Sequence, residues 1–391
     1  MWMIGVINSL TKRKMKLIYC IAGTYNSGGM ERVLINKANY LARCGHDVLI
    51  VTTDQKGRES FFSLDNRIRC YDLGINYEEN NGRSVFNKFF YYPLKQFQHR
   101  KKLDTLLKQQ KADVVISMFC NEVSFISKIA DGSKKVLEVH FSKYKRLQYD
   151  RKGLWWLIDR IRARMDEHYT KGFDRFVVLT YEDKRYWGLL PNIVVIPNSI
   201  SLIPTICAEL TELKVIAVGR YTYQKGFDYL IDAWEILACR WPEWQLDIVG
   251  DGELREQLQR RINDKGLQKS VCLKLPTRHI EDVYSSASIF VMTSRYEGLP
   301  MVLLEAQAAG LPVVAFACKC GPKDIISDGE NGFLVPEGDV KRLAQKLMLL
   351  MRDVALRKKM GERAREIAGS FTEEKVMAQW ISLFKQLTNS K

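Results

Sequence analysis

The stretch that most constrains this chain runs from Ser294 to Gly310 and reads Ser-Arg-Tyr-Glu-Gly-Leu-Pro-Met-Val-Leu-Leu-Glu-Ala-Gln-Ala-Ala-Gly. It follows an apolar run, Ser288 to Met292, with the length and composition of a buried strand. Pro300 suits the first position of a helix, Gly310 the residue just past its end, and Pro312 bars continuation. Between those marks every residue is apolar or small except Glu305 and Gln307. A helix apolar nearly all round has no face to give to water and must be buried. A buried strand leading into a buried helix belongs in a layered α/β domain.

Two carboxylates flank this helix start, Glu297 in the turn ahead of it and Glu305 within it. A buried carboxylate is costly unless something hydrogen-bonds to it. Glu305 lies roughly 7–8 Å along the axis from Pro300, at about 1.5 Å per residue. Free N–H groups and a partial positive charge at a helix start attract phosphate. An anion pocket between two acceptor-only carboxylates suits a diphosphate with a hydroxyl-rich group at each end. A nucleotide sugar has that form. The plainer alternative pairs Glu297 with a nearby Arg and leaves Glu305 capping a core contact.

Upstream, Lys16 to Ala22 reads as a strand, Gly23 to Arg32 as a glycine-rich turn, and a helix follows to Arg43. The G-x-G-x-x-G spacing is absent, but Gly28 and Gly29 let a ligand approach the backbone. A tight strand-to-helix turn would need the same glycines. Further strands are expected at 47–53, 67–73, 113–117, 135–140, 175–179 and 193–196. Helices are expected at 86–111, 122–130 and 155–169, with a surface loop at 76–87. His140 closes the fifth strand, where open sheets face a ligand crevice, although a lone His is often structural.

After Pro197-Asn198-Ser199-Ile200 the alternation restarts at Leu213 and runs to Val335, and three helices end the chain. The expected fold is α/β, two Rossmann-like doubly wound parallel sheets facing across a cleft. The boundaries are 15–196, a linker at 197–209, and 210–372. The last helix, 373–391, is expected to pack back on the first domain. Residues 1–14 read as a poorly ordered extension ahead of a natural start at Met15.

The 391 residues carry a net charge of +15, unevenly placed. Residues 1–200 hold 34 Lys and Arg against 20 Asp and Glu, while residues 201–391 hold 26 against 25. The excess peaks around Lys143, Lys145, Arg146, Arg151, Lys152, Arg160, Arg162 and Arg164, interleaved with Phe141, Tyr144, Tyr149, Trp155 and Trp156. Such a Lys143–Arg164 segment suits an anionic membrane surface, nucleic acid, or a solvated face over a core stripe. No run approaches the roughly 18–20 apolar residues of a membrane span. The nine cysteines have no zinc-like spacing and read as reduced thiols of a cytoplasmic protein.

Taken together, these residues resemble the retaining glycosyltransferases of family 4, which have the GT-B fold. The strongest element is Glu297-x7-Glu305 within Ser-Arg-Tyr-Glu-Gly-Leu-Pro and Leu-Glu-Ala-x-Ala-x-Gly. Gly219-Arg220, Lys225-Gly226, Gly250-Asp251-Gly252, Asn331-Gly332-Phe333 and Gly28-Gly29-Met30-Glu31-Arg32 occur in the matching order. The resemblance implies that Arg220 and Lys225 bind the donor diphosphate, helped by the amides of Gly298 and Leu299 and by the Gly28-Gly29 backbone. Glu305 would hold the ribose hydroxyls. Glu297 would contact the transferred sugar, and His140 would lie near it on the acceptor side. Gly252, Pro276 and Thr277 would line the base.

Retention is likewise implied, and no second carboxylate nucleophile is identifiable, which favours front-face attack. The chain has no Asp-x-Asp motif, and with two cations on the phosphates no metal or other cofactor is expected. The Cys320-Gly321-Pro322-Lys323-Asp324 loop resembles members that use UDP-hexose or UDP-N-acetylhexosamine, with GDP-mannose next. Thr277 departs from the commoner Gly near the base. The expected acceptor is a saccharide or lipid-linked saccharide, at the inner face of the membrane. Rival readings are a nucleotide-sugar epimerase on the same fold and a nucleic-acid-binding protein.

Overall fold

The computed structural model describes residues 13–80, 85–145, 153–200 and 207–389. Most of the expected extension, residues 146–152 of the basic segment, and 201–206 of the linker lie outside these. Seven strands form the first sheet: β1 Lys16–Ile21, β2 Asp47–Thr52, β3 Arg69–Asp72, β4 Val114–Ser117, β5 Lys134–Glu138, β6 Arg175–Val178 and β7 Ile193–Val195. They are all parallel, in the order β3-β2-β1-β4-β5-β6-β7. The helices of this half are α1 Gly29–Arg43, α2 Val85–Gln110, α3 Leu154–Thr170 and α4 Tyr181–Trp187.

The second sheet holds β8 Lys214–Val218, β9 Gln245–Val249, β10 Val271–Lys274, β11 Ile289–Met292, β12 Val313–Phe316 and β13 Gly332–Val335. It too is parallel, in the order β10-β9-β8-β11-β12-β13. Its helices are α5 Phe227–Ala238, α6 Arg255–Asp264, α7 Ile280–Ser285, α8 Met301–Ala308, α9 Pro322–Ile325, α10 Val340–Arg352 and α11 Val354–Ala368. The closing helix is α12, Glu373–Asn389.

Parallel strands covered on both faces read as unbroken apolar runs, and their side chains alternate between two cores. In β1, Leu17, Tyr19 and Ile21 enter one core while Ile18 and Cys20 enter the other. The first of these cores also receives Val376, Met377, Trp380, Ile381, Phe384 and Leu387 of α12. The last helix therefore covers a face of the first sheet. In the second half, α5 and α10 cover one face, and α8 fills the other with Leu303, Leu304 and Ala306 fully buried. Each such Leu contributes about 1.5–3 kcal/mol by leaving water.

Two local expectations are corrected. Residues 122–130 form two 3-10 turns, Asn121–Ser124 and Ile126–Lys128, with Phe125 at φ −134° between them. The Glu122 carboxylate accepts from Ser117 Oγ at 2.6 Å and from the Cys120 amide, which tightens the chain here. The short helix α4 had no counterpart in the sequence reading. Thr180 caps it by accepting from the Asp183 amide at 3.0 Å, and Gly188 ends it.

Candidate active site

Each sheet reverses strand order at one point, between β1 and β4 in the first and between β8 and β11 in the second. Loops leaving the strands at such a point diverge and open a crevice. Several of the sequence-predicted residues fall at these two places. Gly28 precedes α1, just after β1, and Gly29 has open space where a side chain would stand. Arg220 and Lys225 follow β8, and Glu297, Gly298 and Leu299 follow β11.

Lys225 ends a single 3-10 turn, Tyr223–Lys225. Gly226 follows at φ +63°, where a Cβ would sit 2.2 Å from the Thr293 carbonyl oxygen, so only glycine brings the two loops together. Across this contact Lys225 Nζ donates to Glu297 Oε1 at 2.7 Å, and Gln224 donates to Glu297 Oε2 at 3.4 Å. The Glu297 backbone is held as well. Its amide donates to the Lys319 carbonyl at 2.9 Å, and its own carbonyl accepts from the Cys320 amide at 3.1 Å. Glu297 is 8% exposed, so its carboxylate depends on these partners. The neighbouring Arg295 pairs with Asp228 instead and lies between the rings of Tyr223 and Tyr229. Arg220 is exposed and has no ion pair among the described residues.

Glu305 sits on α8 and is 9% exposed. It accepts from Tyr284 Oη of α7 at 2.9 Å. Burial pushes its pKa up, while the Tyr284 hydroxyl and the Arg32 guanidinium of α1 partly oppose this. Arg32 belongs to the first half of the chain, so the charge of α1 reaches Glu305 across the cleft. Leu299 is buried ahead of α8, and Pro300 serves as its cap. Gly252, Pro276 and Thr277 are exposed at the ends of β9 and β10. The Thr277 hydroxyl accepts from the His279 amide at 3.0 Å.

Gly298 brings the halves into contact. A Cβ there would stand 2.7 Å from the His140 carbonyl oxygen. His140 follows β5, and its Nε2 lies 3.1 Å from Glu138 Oε1. Neither ring nitrogen has an aligned hydrogen-bond partner among the described residues. Glu138 also accepts from the buried Lys37 of α1. Burial works against the Glu138 carboxylate, but Lys37 and His140 outweigh it and hold its pKa at about 2. Burial alone pushes Lys37 down.

A second seam was not foreseen. Asp324 of α9 accepts from the amides of Tyr181 at 2.7 Å and Glu182 at 3.2 Å, at the start of α4. In return the buried Glu182 accepts from the Gly321 amide at 3.3 Å and from Lys323 Nζ at 3.0 Å. Thr180 with Asp183 three residues on was the available signal for this helix start. Among the described residues no group of three or more His, Cys, Asp or Glu side chains could hold a metal ion.

Two doubly wound parallel-sheet domains, of seven and six strands, are the architecture of the GT-B class of fold. Comparison with solved structures agrees. TarM superimposes with a TM-score of 0.79 at 18% identity, over 95% of this chain and 99% of that one. The pneumococcal O-GlcNAc transferase GtfA, solved with UDP and GlcNAc, gives 0.74 at 16% identity, over 96% and 99%. The description Glycosyltransferase Family 4 matches residues 27–202, and Glycosyl transferases group 1 matches residues 207–367.

Among curated proteins, an uncharacterized glycosyltransferase of Haemophilus influenzae is 30% identical over 93% of this chain and 98% of its own length. The amylovoran biosynthesis glycosyltransferase AmsD of Erwinia amylovora is 27% identical over 93% and 98%. An α-1,4-N-acetyl-D-galactosaminyltransferase of Campylobacter jejuni, acting on an undecaprenol-linked saccharide, is 26% identical over 96% and 100%. The chain belongs to the family 4, group 1 glycosyltransferases and is a glycosyltransferase.

Proposed function

We propose that the protein moves a hexose or N-acetylhexosamine, with retention, from a UDP-sugar to a saccharide or lipid-linked saccharide. GDP-mannose is the second donor in order. The observation that carries this reading is the Lys225–Glu297 pair on the switch point of the second sheet, directly beside the Gly298–His140 contact. Lys225 donates one N–H to Glu297 and has two more for phosphate oxygens. Arg220 and the amides of Gly298 and Leu299 add to this charge. Cations placed where a leaving diphosphate gains charge lower the barrier. Glu305 accepts from the ribose hydroxyls, and Gly252 and Thr277 border the base.

In the transfer, the anomeric carbon loses its bond to the diphosphate oxygen and gains one to the acceptor oxygen on the same face. The electron pair leaves with the nucleotide, and a phosphate oxygen takes the acceptor's proton. Glu297 and His140 hold the sugar while charge builds on its ring. Protein cations serve the leaving group, so the reaction runs without metal.

The acceptor is proposed to be reached at a membrane. On α3, Trp156, Leu157, Ile161 and Met165 are exposed beside the exposed Arg160, Arg162 and Arg164. Lys143, Trp156, Arg160, Ala163, Arg164 and Glu167 line a groove of about 360 Å³, in which Glu167 pairs with Lys143 at 3.4 Å and leaves a net basic lining. Tyr91, Tyr92, Leu94 and Phe97 of α2 are exposed too, and Tyr92 lies near enough to Arg162 to feel its charge. Apolar and basic groups on one face match an anionic bilayer. Among the described residues no helix is long and apolar enough to cross a membrane.

A thermal-shift panel of nucleotide sugars tests the donor, because a ligand of the folded state raises its melting temperature. UDP-sugars are expected to stand out, and transfer with EDTA present is expected to match transfer without it. The product linkage by NMR should be α from an α-linked donor. Release of an epimerised sugar from donor alone would replace the transferase by an isomerase.

A further inference from the structure

We infer that Glu138, braced by Lys37, is a positioning residue that fixes His140 for the transferred sugar. The inference rests on the transferase reading above. It begins with Lys37, which occupies a core-facing position of α1 beside Leu34, Ala38 and Leu41. Its side chain is 5% exposed. A lysine there costs desolvation and would lose nothing by being leucine unless its charge serves something. The ammonium lies 3.8 Å above the Trp380 ring of α12 on one side and meets the Glu138 carboxylate on the other.

Glu138 is the last residue of β5 and is fully buried. One of its oxygens, Oε1, meets both Lys37 and the His140 ring, the latter at 3.1 Å from Nε2. Lys37 thus holds the carboxylate charged and in place. Beside Lys37, the imidazole is the group that meets this charged oxygen, while Oε2 and the nearby Tyr19 hydroxyl have no hydrogen-bond partner among the described residues. A small rotation of the ring lines Nε2–H up with Oε1, the kind of tightening that ligand binding brings.

An imidazole whose Nε2–H faces a carboxylate is held in one tautomer, and Nδ1 is then the bare nitrogen. The His140 side chain is 7% exposed, and Nδ1 has no partner among the described residues. A buried polar atom in this state is satisfied when a ligand hydroxyl reaches it. The His140 carbonyl abuts Gly298, next to Glu297. The same short segment therefore faces the donor turn. The other ionisable group near Glu138 is the buried Tyr19 of β1, whose pKa burial raises well above its usual value, so it stays a neutral hydroxyl.

The test uses the full chain with labelled histidine. The chain has five histidines, so His140→Asn identifies the resonance by its loss. In the wild type the ring-nitrogen shifts should report Nε2 protonated. In Glu138→Gln they should report a mixture of tautomers. Glu138→Gln leaves Lys37 without its counter-charge, so the double variant Lys37→Met/Glu138→Gln removes both charges together, and with its melting temperature checked it should show the same mixture. Identical His140 signals in wild type and double variant overturn the positioning role.

Turnover gives the second readout. Glu138→Gln should lower kcat about tenfold or more with little change in donor KM, a typical size for a misplaced catalytic group. The same substitution in a His140→Ala background should lower it no further. An equal loss in both backgrounds overturns the inference. Wild-type turnover by His140→Ala, with the tautomer change present, overturns the transferase site reading instead.

Discussion

Lys225 is held by Glu297 at 2.7 Å while still carrying protons for a ligand. That double engagement makes it the most sensitive cation in the cleft. Lys225→Ala should cut kcat by about tenfold to a thousandfold, the range seen when a charge-stabilising donor is removed. Steady-state transfer at saturating donor checks this. Glu305 offers a prediction in pH. Burial raises its folded pKa above the unfolded value, so folding favours the protonated form. Its contribution to stability is complete in acid and is lost as pH rises through the folded pKa. Glu305→Gln should therefore melt above the wild type at pH 8, with the gap closing towards about pH 4.3, the ordinary Glu value. UDP should bind the variant more weakly. Melting curves across pH, with and without UDP, measure both effects.

Much at this scale was legible. Glu297 and Glu305 stood out because carboxylates are costly in an apolar stretch, and Lys225-Gly226 through the resemblance to the family. Lys37 and Glu138 were not legible. A lysine within an amphipathic helix ordinarily belongs to the solvent face, and only the position of Trp380, 343 residues on, shows otherwise.

Among elements, the seam between α4 and α9 matters most for how the halves sit together. Asp324 completes the first turn of a helix in the other domain, and Glu182 answers it. Losing a capping side chain costs about 0.5–2 kcal/mol. Asp324→Ala should lower the melting temperature by a few degrees. It should also widen the solution envelope by small-angle scattering, since the groups it frees lie between domains. An unchanged envelope would show that the seam does not restrain the halves. Here the sequence offered only the spacing of Thr180 and Asp183. A seven-residue helix carries too few turns for an apolar period, and Asp324, which joins Thr180 in accepting from its first amides, lies 143 residues from Tyr181. The strands of both sheets were far easier to read, since buried parallel strands are continuous apolar runs.

For the whole molecule, part of the uneven charge of the sequence lies on α3, where Arg160, Arg162 and Arg164 are exposed beside Trp156, Leu157, Ile161 and Met165, and α2 exposes Tyr91, Tyr92, Leu94 and Phe97. The protein should bind vesicles containing anionic lipid and release them as salt rises beyond about 0.15 M, where the screening length falls to roughly 8 Å. An Arg160→Glu/Arg164→Glu variant should sediment far less with such vesicles while keeping its melting temperature. Equal binding to neutral vesicles would contradict an electrostatic hold.

The path of α12 has a consequence for dissecting the enzyme. Met377, Trp380 and Phe384 share a core with Leu17, Tyr19 and Ile21, so the carboxyl tail completes the amino-terminal half. A clone stopped at Ser370 would spoil the half it does not touch in sequence, exposing the roof over Lys37. Conversely, a synthetic peptide spanning Glu373 to Asn389, added in trans, is the natural reagent for restoring such a truncation.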